Sequence, residues 1–357
     1  MKKTEQKEPS RFTWYILSEN RFFLMGVAAI FIMIYHSTTC LHYSNNTVLY
    51  IVDQLNIGVE MFLFLSGMSN YFSFENKKVK FVNYYIKRTI SVYLIYLMIA
   101  LPMTVYGTFF AMKEGFVDFI LNWTGIGFLT GKMDYPHPGK HPGWYVILIM
   151  VLYAVYPLIY KCLKFLQKKK LDTVVTFAFV FLWIFLMRLF MIKHGNIFGR
   201  YEIALTRIPV FILGCWAGGL VYEKKPFDFV SFIWIFSGFM AFPLFYQFIG
   251  KWSRYNKTFS SVSLTLIIAM LCYVVKKHGV IYKFISYCGK MSLELYLTHN
   301  MMKTFLFKKG EINVWIYLLI IAASFALSIV ISQMRRYIIS KYDESVKKKI
   351  ELKSAQE

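Results

Sequence analysis

Acidic residues are scarce: the 357-residue chain has 19 Asp and Glu against 41 Lys and Arg, and charged residues make up only 17% of it. So little charge excludes a soluble domain of ordinary surface composition. The net charge of +22 would suit nucleic acid if it formed a face. The basic residues instead sit in short clusters between apolar runs, with no continuous patch and no known binding motif, so nucleic acid is not an expected partner. Cysteine is sparse too. Cys40, Cys162, Cys215, Cys272 and Cys288 are scattered, with no Cys-x-x-Cys pair and no histidine at metal-ligand spacing. That speaks against a disulfide framework and against a metal site; the expectation is reduced packing thiols, with Cys40, near the predicted outer face, the one open to exposure. An internal repeat, an appended soluble domain and a small-residue cleavage site after the basic start are also missing. The first apolar stretch is therefore expected to stay in the mature chain.

What is present is apolar: 57% hydrophobic residues, 19% aromatic ones and a mean hydropathy of +0.47. Runs such as Met25 to Tyr35 and Val314 to Ile331 recur along the whole chain, and a bilayer is the simplest solvent for them. The fold class expected is an all-α integral membrane protein of about ten transmembrane helices, a single domain over about 22–334 with charged tails. The spans fall at Phe22–Leu41, Val48–Phe72, Thr89–Phe110, Trp144–Leu163, Thr173–Ile192, Ala204–Tyr222, Phe229–Ile249, Phe259–Val275, Met291–Phe307 and Val314–Met334. Between Phe116 and Gly143 the chain is too broken by Gly and Pro to span and reads as a re-entrant or external segment. Connections on the side of the N-terminus carry more than twice the Lys and Arg of those on the other side, which predicts both termini in the cytoplasm.

Ionisable groups inside spans are costly and usually face a cavity. His36 lies in the first span; its neutral imidazole could take a proton from a hydroxyl, or could simply bond a neighbouring helix. Glu60, in the second, could orient an imidazole as the acid of a triad does, or could form a structural pair with Arg188 or another donor. His299, with Tyr296 on its face, is a second base or an acceptor-binding donor, or a packing histidine. Glu294 points elsewhere and is expected to pair with a cation. Arg88 either anchors the inner leaflet or clamps an anionic phosphate. Trp144 and Tyr145 offer a stacking wall for a sugar, with His137 and His141 as polar contacts, or else interfacial anchors.

Six blocks in order resemble acyltransferase family 3, integral-membrane O-acyltransferases of bacterial surface glycans and other acceptors. MGVAAIFIMIYHS is similar to the family's first helix and places His36 on its histidine; NIGVEMFLFLSGM carries Gly58, Val59, Glu60, Ser66 and Gly67. YYIKRTISVYLIY, HPGWYVILIMVLYAVYPLIY, RIPVFILGCWAG and GKMSLELYLTH resemble the later blocks, the first of them placing Arg88 on the family's arginine. Many members have a basic residue where this chain has Met25; Arg21, one turn earlier, approaches the same face. The chain also lacks the esterase-like domain of some members.

The resemblance implies an O-acyltransferase, and an O-acetyltransferase first, with acetyl-CoA or another acyl-CoA as donor and a hydroxyl of a cell-surface polysaccharide or lipid-linked sugar as acceptor. It implies His36, Glu60 and His299 in catalysis, Arg88, Lys87 and Arg21 near the CoA phosphates, and Trp144, Tyr145 and His141 toward the acceptor. It also implies the bacterial cytoplasmic membrane, with the lipid bilayer as partner and assembly of several copies left open. A transporter or flippase for a lipid-linked saccharide is the rival, because relaying protons needs the same intramembrane groups.

Overall fold

The computed structural model describes residues 12–75, 81–111, 115–130, 143–233, 235–237, 240, 253–274, 279–306 and 312–354. Among these the chain is helical, with no strand beyond an isolated bridge between Thr13 and Pro226. The principal helices are α1 (Arg21–Ser37), α2 (Asn46–Glu75), α3 (Phe81–Phe110), α4 (Phe116–Thr124), α5 (Gly143–Lys168) and α6 (Asp172–Leu205), followed by α7 (Ile208–Tyr222), α8 (Ser253–Val274), α9 (Val280–Lys290), α10 (Ser292–Leu306) and α11 (Val314–Ser354). Among the described residues six helical segments are long and apolar enough to cross a membrane: those of α2, α3 and α5, Asp172–Ile197, Gly199–Tyr222, and Val314–Val346. Arg21–Ser37 and Lys257–Cys272 are shorter apolar helices.

Local chemistry sets several ends. The Asn45 side chain accepts from the backbone N–H groups of Thr47 and Val48 at 2.8 and 3.2 Å and so starts α2. Asn313 does the same for α11 through Ile316 N–H at 2.9 Å. Pro209 occupies the first turn of α7, where its missing N–H costs nothing.

The chain divides into two compact units. One comprises Met1–Ala28, Ile57–Lys78 and Leu158–Lys290; the other comprises Ala29–Asn56, Val79–Pro157 and Met291–Glu357. The first unit is built around the crossing of α2 and α7. Gly67 lets the backbone of Phe211 approach, and Gly214 does so for Phe64: a methyl on either would lie 2.3 or 2.1 Å from the facing carbonyl oxygen. With Gly214 and Gly218 one turn apart, this is the small-residue packing that membrane helices use where lipid gives them no hydrophobic drive to associate.

In the second unit α10 packs on α11 and on the middle of α3. Hydroxyls line the first contact: Thr298 Oγ1 lies 2.7 Å from Ser328 Oγ, both residues being fully buried with Ser324.

Burial divides the helices. The apolar window of the span ending in α7 is 67% buried, while that of α6 is 17% buried. Phe181, Leu182, Phe185, Leu186, Leu189 and Ile192 form an exposed apolar stripe on α6, a face that fits hydrocarbon better than water.

Most residues of the expected spans that are described lie in helices, but α1 ends at Ser37, short of Leu41, and Thr206 and Arg207 break Ala204–Tyr222; Phe229–Ile249 lies mostly outside the described residues. Other boundaries differ from expectation. α6 runs on to Leu205 through the polar stretch after Ile192, α11 runs on to Ser354, and the broken segment after Phe116 opens with the short helix α4. Among the cysteines, Cys40 is buried and Cys162 is the exposed one, the reverse of the expectation, because Cys40 packs against Tyr317 and Ile320.

Candidate active site

The last turn of α1 ends on three successive hydroxyl residues that turn back onto its carbonyls. Ser37 Oγ donates to Ile34 O at 2.5 Å, Thr38 Oγ1 to Tyr35 O at 2.8 Å, and Thr39 Oγ1 to His36 O at 2.8 Å. Such side-chain bonds compete with helix propagation and leave His36 in the terminal turn.

His36 faces His299 of α10. The two rings are 5.6 Å apart and only 5° from parallel. His299 is fully buried, and Tyr296, one turn before it, brings its ring to 6.3 Å from that of His36. Tyr145, at the start of α5, meets Tyr296 edge to face at 5.8 Å. Beyond the pair, the Tyr317 hydroxyl lies 3.2 Å from His299 Nε2 and also bonds Met33 O. Lys303, one turn after His299, donates to Thr39 Oγ1 at 3.2 Å. Neither His36 Nδ1 nor His299 Nδ1, both buried, has a hydrogen-bond partner among the described residues. Two imidazoles with unengaged nitrogens, walled by tyrosines, can accept protons from a bound hydroxyl and hold it against rings.

The remaining candidates separate. Glu60 Oε1 lies 3.1 Å from Arg207 Nε, with the two side chains 3% and 11% exposed. The structural partner left open for Glu60 is thus Arg207 rather than Arg188. Glu294 finds its cation in Arg335, 2.9 Å away. The Arg88 guanidinium lies over the rings of Tyr84 and Tyr153, at 5.4 and 4.9 Å from their centroids. Lys87 pairs with Asp343 at 2.6 Å, both about half exposed. Arg21 lies over the ring of its neighbour Phe22 at 5.4 Å. Trp144 touches Tyr145 edge to face at 5.9 Å. His137 and His141 lie outside the described residues.

A family model described as "Acyltransferase domain" matches residues 23–333, which runs from α1 into the first half of α11 and takes in both histidines. The chain belongs to acyltransferase family 3. It is accordingly a multi-pass membrane protein of an acyltransferase family. Neither curated proteins nor solved structures returned a match.

Three participants lie outside the residues singled out in the sequence. Tyr317 carries no local signal, because only the packing of α10 and α11 and the end of α1 brings it to the pair. Lys303 and Arg207 do carry one: a lysine inside the expected span Met291–Phe307, one turn after His299, and an arginine opening an otherwise apolar span belong with the costly intramembrane charges.

Proposed function

We propose that this family 3 protein is an O-acyltransferase, and first an O-acetyltransferase, that moves an acyl group from acyl-CoA to a hydroxyl of a cell-surface polysaccharide or lipid-linked sugar. The observation that supports it best is the parallel His36–His299 pair within the family domain. In this reading His36 takes the proton of the acceptor hydroxyl as its oxygen attacks the thioester carbonyl. The carbon–sulfur bond then breaks, and the same proton returns to the departing CoA sulfur. A neutral imidazole can do both near pH 7, each role contributing about 10²–10⁴-fold to rate.

Arg88, held over the rings of Tyr84 and Tyr153, would be the cation for the donor's phosphates. Lys87 would exchange Asp343 for the same anion. Tyr145 and Tyr296 would stack the acceptor sugar, with Trp144 beside them. Glu60 enters as the partner of Arg207, holding α2 to α7. The reading also places about ten spans in the bacterial cytoplasmic membrane, with both termini inside. Purified protein in nanodiscs, given radiolabelled acetyl-CoA and cell-envelope extract, should transfer label only when the extract is present. Movement of a lipid-linked sugar across vesicles without consumption of acyl-CoA would favour the transporter instead.

A further inference from the structure

The Tyr317 hydroxyl has one proton and two neighbours. Met33 O is a carbonyl and can only accept, so its contact with Tyr317 uses that proton. Toward His299 the phenol oxygen then offers only lone pairs. At 3.2 Å, His299 Nε2 must therefore be the donor and carry hydrogen. A neutral imidazole has one N–H, which leaves the lone pair on Nδ1. Nδ1 is buried and takes no hydrogen bond from any described residue. Protonating it as well would bury a second donor with nothing to receive it, which is costly. His36 does not receive it, because no hydrogen bond joins His299 Nδ1 to the neighbouring ring.

We infer that Tyr317 is a positioning residue: it locks His299 in the tautomer with hydrogen on Nε2 and so presents Nδ1 as a fixed hydrogen-bond acceptor for a hydroxyl of the acyl acceptor. This rests on the acyltransferase reading for the identity of the ligand, but not for the tautomer. It also divides the labour of the pair. His36 handles the reacting proton, and His299 reads a donor on the substrate.

Nitrogen-15 spectra of histidine-labelled protein in nanodiscs read the tautomer directly, with the His299 signals assigned by their loss in His299→Gln. The intact chain should show His299 neutral with hydrogen on Nε2, and Tyr317→Phe should show both tautomers. In Tyr317→Phe, half-maximal acetyl transfer should need about tenfold more cell-envelope extract, while the saturating rate and the KM for acetyl-CoA stay within about twofold. Hydrogen on Nδ1 in the intact chain, or an unchanged tautomer in Tyr317→Phe, would overturn the inference. So would a fall in the saturating rate with no change in acceptor requirement. The spectra need no turnover, so the expected tautomer in a protein that transfers no acyl group would defeat the enzymatic reading while leaving the lock in place. Spectra of the intact chain also need no variant to fold.

Discussion

Gly214→Ala should damage this protein, and Gly195→Ala should strengthen it. A methyl group on Gly214 would lie 2.1 Å from Phe64 O and 2.9 Å from its carbonyl carbon. Ordinary carbon–oxygen contacts begin near 3.3 Å, so α2 and α7 would have to part by roughly 1.2 Å at that point. Neither atom is the tip of a flexible side chain, so the backbone itself must give. Overpacking of this kind costs about 1–3 kcal/mol, and backbone against backbone belongs at the upper end. The Glu60–Arg207 pair joins the same two helices, at 3.1 Å, and would lengthen with them. Gly195 lies within α6 with nothing within 4 Å of its missing methyl. Alanine there should stabilise by about 0.5–1 kcal/mol, the helical advantage of alanine over glycine. Unfolding of the two variants and the parent in mixed detergent micelles measures both signs. A Gly214→Ala protein within about 0.5 kcal/mol of the parent would refute the close crossing.

Glu60→Gln should cost about 1.5–3 kcal/mol of stability, since it replaces the charged partner of Arg207 by a neutral amide, while the pH–rate profile of the folded protein keeps its shape; a shifted profile at unchanged stability would assign the carboxylate to catalysis. Arg88→Lys should raise the KM for acetyl-CoA nearly as much as Arg88→Ala, because an ammonium cannot grip phosphate with two donors in a fixed fork; full rescue by lysine would leave only its charge. Asp343→Ala should change stability by no more than about 1 kcal/mol, as its pair with Lys87 is half exposed, and a larger loss in a denaturant titration would mean that the pair anchors α11. A membrane-permeant maleimide should label Cys162 ahead of Cys40 in the folded protein, and the reverse order would contradict the packing of Cys40 on Tyr317.

How much of this was legible in the sequence depended on whether the signal was local. Apolar runs announce spans, and α2, α5 and α7 lie close to where hydropathy puts them. Hydropathy does not report backbone hydrogen bonds. The stretch KHGNIFGRYE therefore reads as a loop, although α6 continues through it, and the charged tail after Arg336 reads as an extension with a helix left open, which α11 supplies together with the Lys341–Glu344 pair at 2.9 Å. His36 and His299 stand out as histidines in apolar sequence. That they stack, and that Tyr145 and Tyr296 wall them, follows from helix packing that no spacing encodes. Tyr317 is one of 26 tyrosines and becomes distinctive only through the two bonds of its hydroxyl.

The central claim is that the histidine at the end of α1 moves the proton of an acyl transfer. Its most direct test is acetyl transfer from radiolabelled acetyl-CoA to cell-envelope extract by the intact chain and by His36→Ala, at matched levels of folded protein. The account predicts incorporation by the intact chain and a loss of about 10²–10⁴-fold in the variant. Equal incorporation by both proteins would contradict it.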